Sequence, residues 1–85
     1  MAVLKIFGVR DRAVDSFGQP IFAVAAGAVV RSFTDEIQKD GTEFNRHPDD
    51  YDLYELGEFE QSTGVFTTHE PRMIAIGKSL VSSSF

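Results

Sequence analysis

Eight Lys and Arg side chains, eight phenylalanines and two tyrosines are the residues with which this 85-residue sequence could do chemistry. That chemistry is non-covalent. A guanidinium or ammonium holds a phosphate, and an exposed ring stacks on a base. Lys5, Arg10, Arg12, Arg31, Arg46 and Lys78 are the candidate phosphate partners. Tyr51 and Tyr54 are the candidate stacking residues, with Phe59 and Phe66 nearby in the chain. Arg10-Asp11-Arg12 is the densest basic corner. It reads either as a solvated turn with local ion pairs or as a phosphate holder, because the planar fork of Arg meets two phosphate oxygens at once.

Covalent chemistry finds no support. The sequence has no G-x-G-x-x-G and no H-E-x-x-H. Gly77-Lys78-Ser79 matches only the end of a phosphate loop, since Arg72 stands where its first glycine belongs. His47 and His69 have no nucleophile or oxyanion donors beside them, and without Cys they make a poor zinc set. The expectation is a non-enzyme without metal or cofactor.

Length and charge narrow the classes further. One small domain, residues 1–85, is expected, with 82–85 (Ser-Ser-Ser-Phe) a frayed tail. Phe85 has no acidic run before it, so a partner-binding tail is not indicated. A chain this short buries only about 60% of its extended surface, and no disulfide reinforces it. Oligomerisation, most simply as a dimer, is the expected source of further burial. No stretch approaches the ~20 apolar residues of a membrane span, and Met1 to Lys5 lacks a signal-peptide layout. A soluble cytoplasmic protein is the expectation. Thirteen acids against eight bases give −5, which disfavours nucleic-acid binding by bulk charge and favours a protein-binding module. DNA binding would need the few bases and exposed rings gathered on one side.

These residues must be positioned by a small set of elements. Val3 to Val9 alternates as a strand, and Ile21 to Ala25 is a short apolar strand opened by Pro20. Val29, Val30, Phe33 and Ile37 form a helical stripe over residues ~27 to 39. Gly27 is the candidate N-cap, and Lys39-Asp40-Gly41 the stop. Phe17 sits in the Asp15–Pro20 loop, either folded onto the core or offered as a stacking face. Thr42 to Asp50 reads as a polar link anchored by Phe44. In it His47 either serves the turn with Asp50 or touches a phosphate.

Tyr51 to Glu60 and Val65 to Thr68, separated by Gln61-Ser62-Thr63-Gly64, read as a β-hairpin. Strict alternation puts Tyr51, Leu53, Glu55, Gly57 and Phe59 on one side and Asp52, Tyr54, Leu56, Glu58 and Glu60 on the other. Both sides are partly apolar, so one should meet the helix and the other a second sheet or subunit. Pro71 breaks the chain, and Met73 to Ile76 is a last strand that Gly77 to Val81 would extend. The fold class expected is α+β: a small, mainly antiparallel sheet of about five strands, ordered β-β-α-β-β-β, with one helix packed on it.

The hairpin stretch also carries a family pattern. Asn45 to Phe66 resembles the small nonstructural protein of gokushoviruses, a branch of the microviruses, which are phages with single-stranded DNA genomes. The family pattern is close to H-P-E-D-Y-x-L-F-E-L-G-E-F-D-x-x-T-G. It is met by His47, Pro48, Asp50, Tyr51, Leu53, Glu55, Leu56, Gly57, Glu58, Phe59, Thr63 and Gly64. Lys5-Ile6-Phe7, Arg10-Asp11, Pro20-Ile21-Phe22 and Val30-Arg31-Ser32-Phe33 extend the likeness over roughly residues 3 to 81. Gly27 departs from the Asn or Asp that the family has near the helix start.

The resemblance implies a counterpart of the C protein of coliphages. Such a protein binds single-stranded DNA and favours the switch from double-stranded replicative DNA to single-stranded genomes for packaging. It would act in the host cell cytoplasm and be absent from the virion. Two readings from other classes stand beside it. One is an acidic adaptor for viral or host replication proteins that never touches DNA, and the other is a capsid-associated subunit. Replacing Arg10 and Arg12 by Glu is expected to abolish oligonucleotide binding with the fold intact, whereas Phe33→Ala should unfold the domain.

Overall fold

The computed structural model describes residues 3–81. Its strands are β1 (Val3–Asp11), β2 (Ser16–Phe17), β3 (Ile21–Ala23), β4 (Tyr51–Glu60) and β5 (Val65–Ile76). Between β3 and β4 lie the helix α1 (Ala26–Gln38) and the single turn α2 (Glu43–Arg46). Two 3-10 turns, Pro48–Asp50 and Gly77–Leu80, flank the hairpin. The class is α+β with one main helix, as the pattern implied. The order is β-β-β-α-β-β, because Ser16–Phe17 forms a short strand and Val65 to Ile76 runs as one. The 82–85 tail expected to fray lies outside the described residues.

All pairings are antiparallel. β1 is central, with β4 along one edge and β2 and β3 sharing the other, and β5 closes the far side of β4. Pro71 does not end β5, because this is an edge strand, where a missing N–H costs no ladder bond. The pairing simply skips residues 69–71, passing from Thr68↔Gly57 to Arg72↔Glu55.

A second irregularity matters more. Opposite β1 the register jumps from Phe7↔Glu55 to Ile6↔Gly57, so Leu56 is an extra residue. Gly57 takes φ +157, and a Cβ there would collide with the Thr67 carbonyl of β5, so only glycine fits the bulge. The extra residue reverses the expected alternation beyond it. Phe59 pairs with Leu4 on the side of Tyr54, and Glu58 pairs with Lys5 on the side of Phe7.

α1 packs on one sheet face only. Val29, Phe33 and Ile37 of its apolar stripe join Phe7, Tyr51 and Leu53 in the core, with Val9, Ala23, Phe44 and Ala75 at its margin. Full burial of side chains such as Phe7, Ile37 and Leu53 stabilises the fold by about 1.5–3 kcal/mol each. The cap of α1 is Ala25, not Gly27, and it makes no side-chain cap bond. Thr42 closes both helices. Its hydroxyl donates to the Glu36 carbonyl and accepts from the Asn45 N–H at the start of α2. The stretch expected to be a polar link therefore contains a capped turn. There Phe44 lies against Phe33 and stacks on Tyr51 with ring centroids 4.3 Å apart.

Candidate nucleic-acid interface

The sheet face turned away from α1 is built by the alternate residues of each strand. β1 contributes Leu4, Ile6, Gly8 and Arg10, and β4 contributes Asp52, Tyr54, Leu56 and Phe59. Phe17 of β2, Phe22 of β3, and Phe66 and Met73 of β5 fall opposite them in register. Among the described residues no helix covers this face. Phe17, Phe22, Phe66 and Met73 keep 38%, 44%, 57% and 45% of their surface in solvent, too much for core residues.

The rings form two groups. Phe22, Phe59 and Phe66 touch one another, Phe59 and Phe66 with centroids 4.7 Å apart and Phe22 edge-on to both at 6.0 and 6.2 Å. Phe17 meets Tyr54 edge-on at 5.3 Å. The pair sits over Gly8, where a Cβ would press on both Leu56 and Phe17. Phe22 lies opposite Ile6, two strand residues or ~7 Å at the usual rise from the Gly8 level of Tyr54, so the two groups adjoin along the sheet.

The proposed stacking residues divide. Tyr54 lies on the open face, half-buried beside Phe17. Tyr51 is buried in the core against Phe44, which withdraws it from any stacking role. Burial first, and the carboxylates of Asp11, Glu43 and Asp50 after it, hold the Tyr51 hydroxyl above its ordinary pKa.

The cations are not gathered on one side. Arg10 alone of the six candidates stands on the open face, at the end that carries Phe17 and Tyr54. Lys5 faces the helix side and lies 3.9 Å from Glu58. Arg46 on α2 pairs with Glu43 at 2.8 Å. Arg31 projects from α1 and Lys78 from the 3-10 turn after β5, both exposed and neither in an ion pair among the described residues.

Arg12, just past β1, reaches Asp52 at 3.2 Å and donates to the Asp49 carbonyl. Asp52 is buried and also accepts from the Gly77 N–H at 3.3 Å. That makes Arg12 a structural clamp joining the end of β1 to both ends of the hairpin. The Arg10-plus-Arg12 Glu variant would therefore place a second carboxylate beside Asp52 and damage the fold, contrary to the expectation from sequence.

Sequence reasoning missed Arg72, which lies 3.4 Å from the nearly buried Glu55, whose same oxygen is 3.2 Å from His69 Nε2. Among the described residues five of the eight cations thus meet a carboxylate. His47 faces Glu43 at 3.8 Å, not Asp50, to which it offers only its backbone carbonyl. The missed ring is Phe22, whereas Phe17, read as either core or stacking face, lies on the open face. For Phe22 the signal was its placement one residue off Ile21 and Ala23, which pair with Phe7 and Lys5 on the helix side of the sheet.

This arrangement can hold flat apolar groups on rings and one phosphate at the Arg10 end. Among the described residues no group of three or more His, Cys, Asp or Glu could hold a metal ion, and no helix is long and apolar enough to cross a membrane. Comparison with known proteins gives one family model, described as Phage ORF5 protein, which matches residues 4–80. No curated protein and no solved structure matches the chain.

Proposed function

The chain belongs to the Phage ORF5 protein family, and from that premise we propose that it is a nonstructural replication factor that binds single-stranded DNA by stacking bases on the open face of its sheet. The observation that carries this reading is the uncovered ring set Phe17, Tyr54, Phe22, Phe59 and Phe66 on one face. Bases stacked on such rings contribute about 1–3 kcal/mol each without reading sequence. The reading extends to the gokushovirus-type role: favouring single-stranded genome synthesis over double-stranded replicative DNA, in the host cytoplasm and outside the virion. No catalysis is part of it.

With most cations already paired, phosphate contacts are few. The complex should therefore depend on salt only shallowly, with a slope near −0.7 for each phosphate contacted. Duplex DNA, whose bases are stacked on one another, should bind far more weakly. Fluorescence anisotropy with a labelled oligo-dT and its duplex, each at low and moderate salt, tests this. Binding of the single strand alone with a shallow slope supports it.

The pairing of cations with carboxylates favours a second reading, the acidic adaptor for replication proteins. No oligonucleotide complex even at low salt would establish that one over the first. A second copy of the chain is the competing occupant of the open face. Sedimentation with and without oligo-dT shows whether a dimer forms and whether DNA dissolves it.

A further inference from the structure

At the Arg10 end of the open face one cation is held in a different way from its neighbours. The Arg10 guanidinium is in contact with the carboxylate of Asp15, from the turn between β1 and β2. Its contact with Asp15 raises the Arg10 pKa. In register Arg10 lies opposite Phe17 and two residues along β1 from Gly8, the partner of Tyr54, so its strand position is beside the ring pair. Asp15 is 77% exposed and bonds nothing else among the described residues, so the contact is an open surface ion pair. Such pairs are weak and readily exchanged.

Arg12, two residues on, differs in each respect. Its partner Asp52 is buried and fixed by the Gly77 N–H, so this guanidinium cannot be released. Arg46 and Glu43 are also exposed, but they lie on α2 away from the open-face rings. Among the described residues Arg10 is the one cation with both a removable partner and a ring pair beside it.

We propose that Phe17, Tyr54 and Arg10 form a one-nucleotide subsite for single-stranded nucleic acid, and that Asp15 is its internal competitor, occupying Arg10 until a phosphodiester displaces it. The proposal rests on the stacking reading above. In the bound state the base lies on the Phe17–Tyr54 pair, and the phosphate takes the two-pronged contact with Arg10 that a planar fork favours. The carboxylate turns out into water. A competitor of this kind lowers affinity for free phosphate or polyanions in general while leaving bound any strand that also contributes stacking.

Asp15 has φ +56, a left-handed conformation that Asn adopts about as readily, so Asp15→Asn removes the charge and keeps the turn. Asp35→Asn, at an exposed carboxylate on α1, makes the same change in net charge elsewhere. Binding of labelled oligo-dT is measured for the unaltered chain, both Asn variants, Arg10→Gln and the Arg10→Gln/Asp15→Asn double variant, over a salt series.

Asp15→Asn is expected to bind about two- to fivefold tighter, the size of a surface ion pair. Its salt slope should stay that of the unaltered chain, because Arg10 meets one phosphate in either complex, whereas Arg10→Gln should flatten it by about 0.7. Asp35→Asn should change neither, and the double variant should gain nothing over Arg10→Gln. Equal behaviour of Asp15→Asn and Asp35→Asn, with the unaltered chain binding, overturns the competitor and leaves the stacking reading standing. Failure of every variant to bind at low salt overturns both.

Discussion

The two faces of this sheet carry similar numbers of rings and treat them in opposite ways. On the helix side Phe7, Phe33, Phe44 and Tyr51 pack into a core in which Phe7 has no exposed surface. On the far side Phe17, Tyr54, Phe22, Phe59 and Phe66 touch mainly one another and water. The difference teaches that the aromatic content of a small domain is not all stability. One face makes the fold, and the other is left open among the described residues. Surfaces of this kind on soluble proteins mark interaction sites.

Substitution at one ring on each face gives the largest contrast. Phe33→Ala should cost about 3–5 kcal/mol of stability, which a domain this small cannot spare, and urea denaturation will show it unfolded or nearly so. Phe66→Ala should change stability by no more than about 0.5 kcal/mol. It should weaken oligo-dT binding by about 1–3 kcal/mol. Equal stability losses at the two positions would erase the contrast.

Next comes the bulge that assigns residues to faces. Gly57→Ala meets the Thr67 carbonyl in an unfavourable backbone conformation and should destabilise by about 1–3 kcal/mol. If Gly57→Ala is tolerated without loss, the extra residue at Leu56 is not fixed and the assignment of Phe59 fails.

Arg12 and Arg31 sharpen the comparison among cations. Arg12→Ala leaves the buried Asp52 with one donor fewer and should cost about 1–3 kcal/mol. Arg31→Ala, on the exposed side of α1, should stay within about 0.5 kcal/mol. Neither should alter oligo-dT affinity as much as Arg10→Gln in variants that remain folded.

The smallest effect is a pH dependence of the covered face. The folded pKa of Tyr51 is raised, chiefly by burial. The unfolded chain therefore releases this proton first. Its stabilising contribution is complete below about pH 10 and lost as pH rises from there towards the folded value. Urea midpoints between pH 8 and 11 should fall more for the unaltered chain than for Tyr51→Phe.

Much of the frame is legible in the amino-acid sequence. The stripe Val29, Val30, Phe33, Ile37 and the hairpin about Gln61 to Gly64 are local patterns, and both formed. That both sides of β4 are partly apolar was also visible, but of the two covers expected only α1 is present among the described residues, on one side.

What was not legible depends on register. One inserted residue at Leu56 turned Phe59 and Glu58 over, and its only sign was a glycine inside an otherwise regular strand. Pro71 looked like a terminator because the sequence does not show which strand will lie at an edge. α2 is too short to show a period, and only Thr42 three residues before Asn45 marked its start. The ion pairs Lys5–Glu58 and Arg12–Asp52 join residues more than thirty apart, so no reading of neighbours could foresee that the cations would be dispersed.

The most direct test is to map where an oligonucleotide touches the protein. In a nuclear magnetic resonance titration of the labelled chain with oligo-dT, the aromatic signals of Phe17, Phe22, Tyr54, Phe59 and Phe66 should shift. Those of Phe7, Phe33 and Phe44 should stay in place. Shifts centred on α1, or none at any ratio of DNA to protein, would contradict the account.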